Sequence, residues 1–184
     1  VKVRIADIPQ EGLELEFKLG LDAINNRLAQ GVENGNKKAV HVDSNFEIEP
    51  EAKIKLTIEG STIFFNGEAM GVLTTDCSRC LEKTKAKVVA KINLVLKPVR
   101  ERESELDKLE DLNFGSYEGK EIDCAVIAEE YLTLALPQVV VCSKDCKGLC
   151  PKCGENLNVM KCNCKTENEF VDERFSVLKD LKIH

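Results

Sequence analysis

The 184-residue chain has no tryptophan and only two tyrosines, two histidines and two methionines. The absence of tryptophan and near-absence of tyrosine argue against binding by stacking of single-stranded nucleic acid, which relies on aromatic platforms. Two histidines, His41 and His184, leave little material for imidazole chemistry, and no H-E-x-x-H stretch is present. Neither a Walker-type loop nor a G-x-G-x-x-G turn occurs, and "FGSYEG" lacks the flanking pattern of a nucleophile elbow. These absences predict a protein that is not an enzyme and has no small-molecule substrate.

Long apolar runs are missing too. A transmembrane helix needs roughly 20 consecutive apolar residues, and the chain offers none. Its first stretch, "VKVRIADIPQEGLELEF", carries charges where a secretory leader would need an unbroken apolar core. The expectation is a cytoplasmic protein with no membrane partner. In a reducing compartment, nine cysteines argue for metal or catalysis rather than a disulfide framework.

The net charge of −6 is unevenly spread. Residues 77–102 hold eight Lys/Arg against two Glu; residues 103–130 hold ten acids against two lysines. Because salt screens a charge beyond about 10 Å at 0.1 M, the basic strip can act locally despite the acidic total.

Alternation of apolar residues predicts strands in residues 1–19, with Leu13, Leu15 and Phe17 on one parity. It predicts another from Phe46 to Ile58, interrupted at Pro50. "STIFFNG" and "EAMGVLTT" read as two further short strands. The clearest strand is 83–97, where Val88, Ala90, Ile92, Leu94 and Leu96 face one way and Lys83, Lys85, Lys87, Lys91 and Lys97 the other. A lysine face of this kind is ordinarily just the wet side of an antiparallel sheet. Leu21, Ile24 and Leu28 stand at helical spacing, and "GVENGNKK" after them reads as a loop. Residues 100–121 read as an acidic linker. "IDCAVIAEEYLTLALP" predicts the principal helix, opened by Asp123 and stopped before Pro137, with Val126, Ile127, Tyr131, Leu132 and Leu134 toward the sheet. Cys124 in its first turn is expected to be a small buried hydrophobe.

Six cysteines fall between Cys142 and Cys164, spaced C-x3-C-x3-C-x2-C-x8-C-x-C. In "CPKCG" two thiolates can chelate one ion from a tight turn whose N–H groups point at sulfur, and the glycine accepts the left-handed backbone that follows. Tetrahedral zinc needs four ligands, which assigns Cys150, Cys153, Cys162 and Cys164 to one closed structural site. Cys77 and Cys80 form a second C-x-x-C, and with Cys142 and Cys146 they supply four more sulfurs for a second zinc. Spacing leaves open whether those pairs meet, stay free, or lend a ligand to the first site. A redox role for Cys77 and Cys80 lacks the helix N-terminus that a thioredoxin-like motif requires, since the motif is followed by a strand.

These segments resemble the YceD-type large ribosomal RNA subunit accumulation proteins. The likeness rests on "CSRCLEKTKAKV" at 77–88, "LALPQVVVCSKDCKGLCPKCGENLN" at 134–158, "CNC" at 162–164 and "DERFSVLKDL" at 172–181. One departure is Glu173, where the closing motif commonly has proline. The resemblance implies a non-enzymatic ribosome-biogenesis factor that supports accumulation of large-subunit ribosomal RNA. Zinc would make the tail and the "CSRC" turn one rigid surface. Arg79, Lys83, Lys85, Lys87 and Lys91 would then face ribosomal RNA or large-subunit assembly particles. A protein adaptor without RNA contact is the alternative reading, and a thiol redox protein the third.

The expected architecture is α+β: a mostly antiparallel sheet with one principal packing helix over residues 1–140, then a cysteine-rich zinc-binding segment over 141–184 ending in a short helix.

Overall fold

The computed structural model describes residues 1–33, 44–99 and 113–164. The acidic stretch 100–112 and the terminal piece containing Phe175, Leu178 and Leu181 lie outside the described residues, so the short terminal helix is not among the elements below.

Among the described residues the fold is α+β, with a mostly antiparallel sheet and two helices, one where Leu21, Ile24 and Leu28 stand at helical spacing and one after residue 121. Chain order is β1 (Lys2–Arg4), a 3-10 turn (Ile5–Asp7), β2 (Leu13–Lys18), α1 (Leu21–Glu33), β3 (Asn45–Phe46), β4 (Glu51–Glu59), β5 (Thr62–Asp76), β6 (Lys83–Pro98), β7 (Phe114–Tyr117), β8 (Glu121–Asp123) and α2 (Cys124–Leu134). The main sheet runs β2-β4-β5-β6-β7, with β3 pairing β5 beyond the end of β4. The first two strands do not pair with each other. β1 joins β8 in a separate two-stranded ribbon, and β2 joins β4.

Its backbone is the long hairpin of β5 and β6, registered from Ile63 opposite Leu96 to Asp76 opposite Lys83. "STIFFNG" and "EAMGVLTT" are therefore one continuous strand. Gly67 reads as a break in sequence, but in the sheet it permits close approach, because a Cβ there would run into the Lys53 carbonyl. "FGSY", read as part of a linker, is β7, which lies parallel to the end of β6 from Val95 opposite Phe114 to Pro98 opposite Tyr117. The Tyr117 hydroxyl donates to the Ser61 carbonyl at 2.7 Å and ties this edge to the β4–β5 turn.

Alternation decides the faces. Ile54, Leu56, Ile63, Phe65, Leu73, Val88, Ala90, Ile92 and Leu96 are buried together on one side. Fully burying a Leu, Ile or Phe stabilises by roughly 1.5–3 kcal/mol each, so this face dominates the core. Both helices cover it: α1 through Ile24, α2 through Cys124, Ala128 and Leu132. α1 also runs on to Glu33, past the point where its glycine suggested a loop.

The Asp123 carboxylate accepts from the backbone N–H of Ala125 and Val126, the expected cap of α2. The packed face of α2 is narrower than predicted. Val126 and Leu134 are exposed, and their places are taken by small Ala128 and by Glu129, whose carboxylate lies 3.7 Å from Arg27 of α1. Burial pushes the Glu129 carboxyl above its ordinary value, against the pull of Arg27. Cys124 is fully buried, and burial pushes its thiol up to about 11, as befits a small core hydrophobe. Among the described residues no helix is long and apolar enough to cross a membrane.

Candidate metal centres

At the tip of the β5–β6 hairpin the chain turns through Cys77-Ser78-Arg79-Cys80. Cys77 N–H donates to the Glu82 carbonyl at 2.9 Å, and Leu81 N–H donates to the Cys77 carbonyl at 3.0 Å. The turn at Cys150-Pro151-Lys152-Cys153 repeats the pattern: Cys150 N–H donates to Glu155 at 2.8 Å, and Gly154 N–H to Cys150 at 2.9 Å. Two segments far apart in sequence thus fold into the same knuckle, each aiming backbone N–H groups at its first sulfur.

α2 returns the chain to the first knuckle. Beyond its last turn, Val140 clasps Ser78 twice: Ser78 N–H donates to the Val140 carbonyl at 2.7 Å, and Val140 N–H donates to the Ser78 hydroxyl at 3.2 Å. Cys142 N–H then donates to Cys77 Sγ at 3.3 Å. This clasp brings Cys142 and Cys146 to Cys77 and Cys80, with all four sulfurs within 4.8 Å of one another. Cys77–Cys146 is 3.8 Å and Cys80–Cys142 is 3.6 Å. A disulfide would need about 2.05 Å. Tetrahedral zinc with bonds of about 2.3 Å spaces its sulfurs at about 3.8 Å, so the donor set fits that ion. Its sulfurs come from both sides of residue 140.

The second set, Cys150, Cys153, Cys162 and Cys164, also gathers its sulfurs within 4.8 Å. The first cluster thus joins the two pairs whose meeting the spacing left open, and both clusters could hold a metal ion. They differ in cover. In the first, Cys77, Cys80 and Cys146 are buried and Cys142 is exposed; in the second, only Cys150 is buried.

Electrostatics at the two first sulfurs agree. Burial would raise the Cys77 thiol, but N–H groups of Arg79, Cys142 and Cys80 outweigh it and bring it to about 6. At Cys150 the N–H groups of Cys153 and Lys152 do the same, also to about 6. Donors aimed at sulfur favour the thiolate, the form that binds metal. In each cluster another thiol is pushed the opposite way. At Cys80 the Glu82 N–H would lower it, but burial and the neighbouring sulfurs carry it up to about 12. Cys164, hydrogen-bonded to Cys153 and partly desolvated, is likewise raised to about 12.

The loop between Cys153 and Cys162 knits the clusters together, a role that sequence reasoning missed. Asn158 Nδ2 donates to Cys146 Sγ at 3.3 Å, while its Oδ1 accepts from Lys147 N–H at 2.8 Å. Asn156 Nδ2 donates to Glu82 at 3.3 Å, and Leu157 N–H to the Gly148 carbonyl at 3.0 Å. The only sequence signal was "GENLN" itself, two asparagines in a stretch too short for a core.

The basic residues divide. Lys83 pairs with Asp76 at 2.8 Å and Lys85 with Glu47 at 2.9 Å. Arg79 Nη1 donates to the Cys146 carbonyl at 3.0 Å, so its guanidinium also straps the first cluster. Lys87 and Lys91 are exposed on the outer sheet face, with no ion pair within 4.0 Å among the described residues.

Comparison with known proteins bears on this arrangement. The chain is 29% identical over 142 residues to the large ribosomal RNA subunit accumulation protein YCED homolog 1, chloroplastic, of Arabidopsis thaliana, covering 64% of this chain and 43% of that protein. It is 27% identical over 142 residues to the Zea mays protein of the same description, covering 62% and 48%. The chain thus spans under half the length of the curated relatives it matches. No solved structure matches it. The family described as large ribosomal RNA subunit accumulation protein YceD matches residues 65–182, from near the start of β5 through both cysteine clusters, and the chain belongs to that family.

Proposed function

We propose that the protein supports accumulation of large-subunit ribosomal RNA by binding, without catalysing a reaction, and that two structural zinc ions hold its binding surface in shape. The observation that carries this reading is the pair of four-sulfur clusters, each with its sulfurs within 4.8 Å of one another, within the stretch that the family matches. Closed sites with four protein sulfurs leave no open position for a substrate. When bound, zinc would supply rigidity, fixing the chain after α2 to the hairpin tip. Eight cysteines grouped as metal ligands suit a reducing compartment, and we assign the protein to the cytoplasm, alongside the ribosomes it serves. Its two named relatives are described as chloroplastic.

Its partner in this reading is ribosomal RNA or a large-subunit assembly particle. Lys87 and Lys91 remain as phosphate contacts, whereas Asp76 and Glu47 already neutralise Lys83 and Lys85. That pairing favours the second reading, an adaptor that meets the particle through protein. Depleting the protein from its host should lower the ratio of large- to small-subunit ribosomal RNA. Wild-type protein should restore the ratio, and a Cys80→Ser variant should not. An unchanged ratio on depletion would overturn the proposal. Charge reversal at Lys87 and Lys91 separates the readings: RNA contact predicts lost crosslinking and a steep salt dependence, and the adaptor predicts neither.

A further inference from the structure

One long edge of the sheet is open among the described residues. β5 lies along one side of β6 from Lys83 to Leu96. On the other side β7 covers only Val95 to Pro98. The Val95 N–H donates to the Asn113 carbonyl at 2.8 Å, and alternate residues of a strand direct their backbone groups to the same edge. The N–H and C=O of Val89, Lys91 and Asn93 therefore point outward along this edge, with no strand among the described residues to meet them. A bare edge invites pairing with other chains, and proteins commonly cover it with a helix or a loop.

A groove of about 730 Å³ lies against that edge. Leu94 and Phe114 line it from the sheet, and Ile127, Tyr131 and Leu134 from α2. These three residues of α2 stand at i, i+4 and i+7, one apolar stripe of the helix. The deepest contacts with the core are made by a neighbouring stripe, Cys124, Ala128 and Leu132. The wide apolar face that periodicity predicts for α2 thus has two parts, one against the sheet and one over the groove. The second part is uncovered at its end: Leu134 is 76% exposed, and Phe114 across the groove 43%.

We infer that residues 172–181 of this chain dock in the groove, with Phe175, Leu178 and Leu181 seated between the β6 edge and α2. Those three side chains stand at i, i+3 and i+6, the spacing of one helix face. Reach permits it. The loop of the second cluster is bound to Glu82 at the hairpin tip, and Cys164 of that cluster is the last described residue. From there to Phe175 the chain has eleven residues, which span at most about 36–40 Å. A strand rises about 3.3 Å per residue, so Val89 lies about 23 Å along β6 from Glu82 and Leu94 about 40 Å. Phe175 can therefore enter at the Val89 end, with Leu178 and Leu181 running on toward Leu94. Charge permits it too. The groove has one exposed charge of each sign, Lys91 and Glu130, and the segment supplies Asp172 and Lys179. The family match, residues 65–182, takes in groove and segment together. Docked there, the segment closes the sheet, so a partner meets β6 through its outer face rather than by adding a strand. The inference goes beyond the proposed function and does not rest on it.

The test is amide hydrogen exchange, resolved by residue, on the full chain. Wild type is compared with the double variant Phe175→Ser, Leu178→Ser and with Leu134→Ser on the other side of the contact. In wild type the amides of Val89, Lys91 and Asn93 should be protected. In both variants they should exchange at least tenfold faster, while those of Ala90 and Ile92, which face β5, keep their wild-type rates. An unprotected edge in wild type overturns the inference, and so does protection that the double variant leaves unchanged. Should Leu134→Ser loosen the whole sheet, the double variant decides, because it leaves every described residue intact. Faster exchange throughout the sheet in the double variant places the segment elsewhere in the core and overturns the inference. Protection that grows with protein concentration assigns the groove to a second copy. Protection lost instead in Leu106→Ser, Leu109→Ser assigns it to the stretch 100–112. Either result overturns the inference. None of these readings uses ribosomal particles, so the proposed function stands or falls separately.

Discussion

The first cluster collects its sulfurs from two stretches more than sixty residues apart, and the second takes all four from Cys150 to Cys164. The first sits where the longest hairpin of the sheet meets the chain leaving α2, with three of its four cysteines buried. The second stands beside it and is tied through its loop to the hairpin tip at Glu82 and to the first cluster at Cys146. The same knuckle geometry thus serves two ends. In the first cluster a metal would close a long loop and join two parts of the molecule. In the second it would shape fifteen residues that have almost no core of their own. Burial and loop length, rather than the ligand set, separate their energetics.

The sharpest way to break that comparison is to remove one sulfur from each. Cys80→Ser should cost the protein one zinc of two and several kcal/mol of stability, because binding free energies of about 10–16 kcal/mol in zinc-finger peptides are folding free energy. Cys153→Ser should also lose one zinc but leave the main unfolding transition of the sheet in place. Elemental analysis with thermal unfolding of each variant reads both outcomes. Equal destabilisation by the two substitutions would show that the clusters are one cooperative unit.

Asn158 is the link to cut next. Its side-chain N–H reaches Cys146 from the loop of the other cluster, and removal of such an outer partner typically lowers metal affinity about 10–100-fold. Asn158→Ala should weaken the first cluster by about tenfold in chelator competition, although the asparagine lies in the loop of the second. No change in affinity would mean that the contact does not couple them.

A smaller effect concerns what the clusters share. In the reduced, metal-free chain Cys77 is lowered from 9.0 to about 6. A lowered folded-state value adds stability that is fully present above pH 9 and lost as pH falls through about 6. Cys80, raised from 9.0 to about 12, adds stability present below pH 9 and lost as pH rises through about 12. Cys150 and Cys164 repeat this pair. Stability of the metal-free protein should therefore rise from pH 6 to 9 and decline above it. Cys77→Ser and Cys150→Ser should each flatten the rise, followed by urea midpoints across that range. A flat wild-type profile would mean that the knuckle N–H groups do not stabilise thiolate.

Much of this was legible in the sequence, for identifiable reasons. Period-two alternation in β6 fixed its faces, and Asp123 with Pro137 bounded α2. The short spacing from Cys150 to Cys164 left one economical grouping. Convergence of Cys77 and Cys80 with Cys142 and Cys146 was not legible, because it depends on α2 lying along the sheet and on the clasp between Ser78 and Val140. Gly67 misled because a glycine that lets two backbones approach looks, in sequence, like one that ends a strand. Leu134 misled because helical spacing cannot tell a packed leucine from one that is 76% exposed at the last turn.

The mildest contrast is at the residue closing each knuckle, and it isolates backbone from packing. A Cβ at Gly154 would meet nothing within 4 Å, so Gly154→Ala adds no clash and should cost only the left-handed penalty, roughly 1–2 kcal/mol. Gly148 in the same segment is a useful control. It shares the positive φ, but a Cβ there would press on the Arg79 carbonyl at 3.1 Å, so Gly148→Ala should cost more. Thermal unfolding of the two variants in the presence of zinc orders them. If Gly154→Ala proved neutral, left-handed backbone after a C-x-x-C knuckle would carry no strain here.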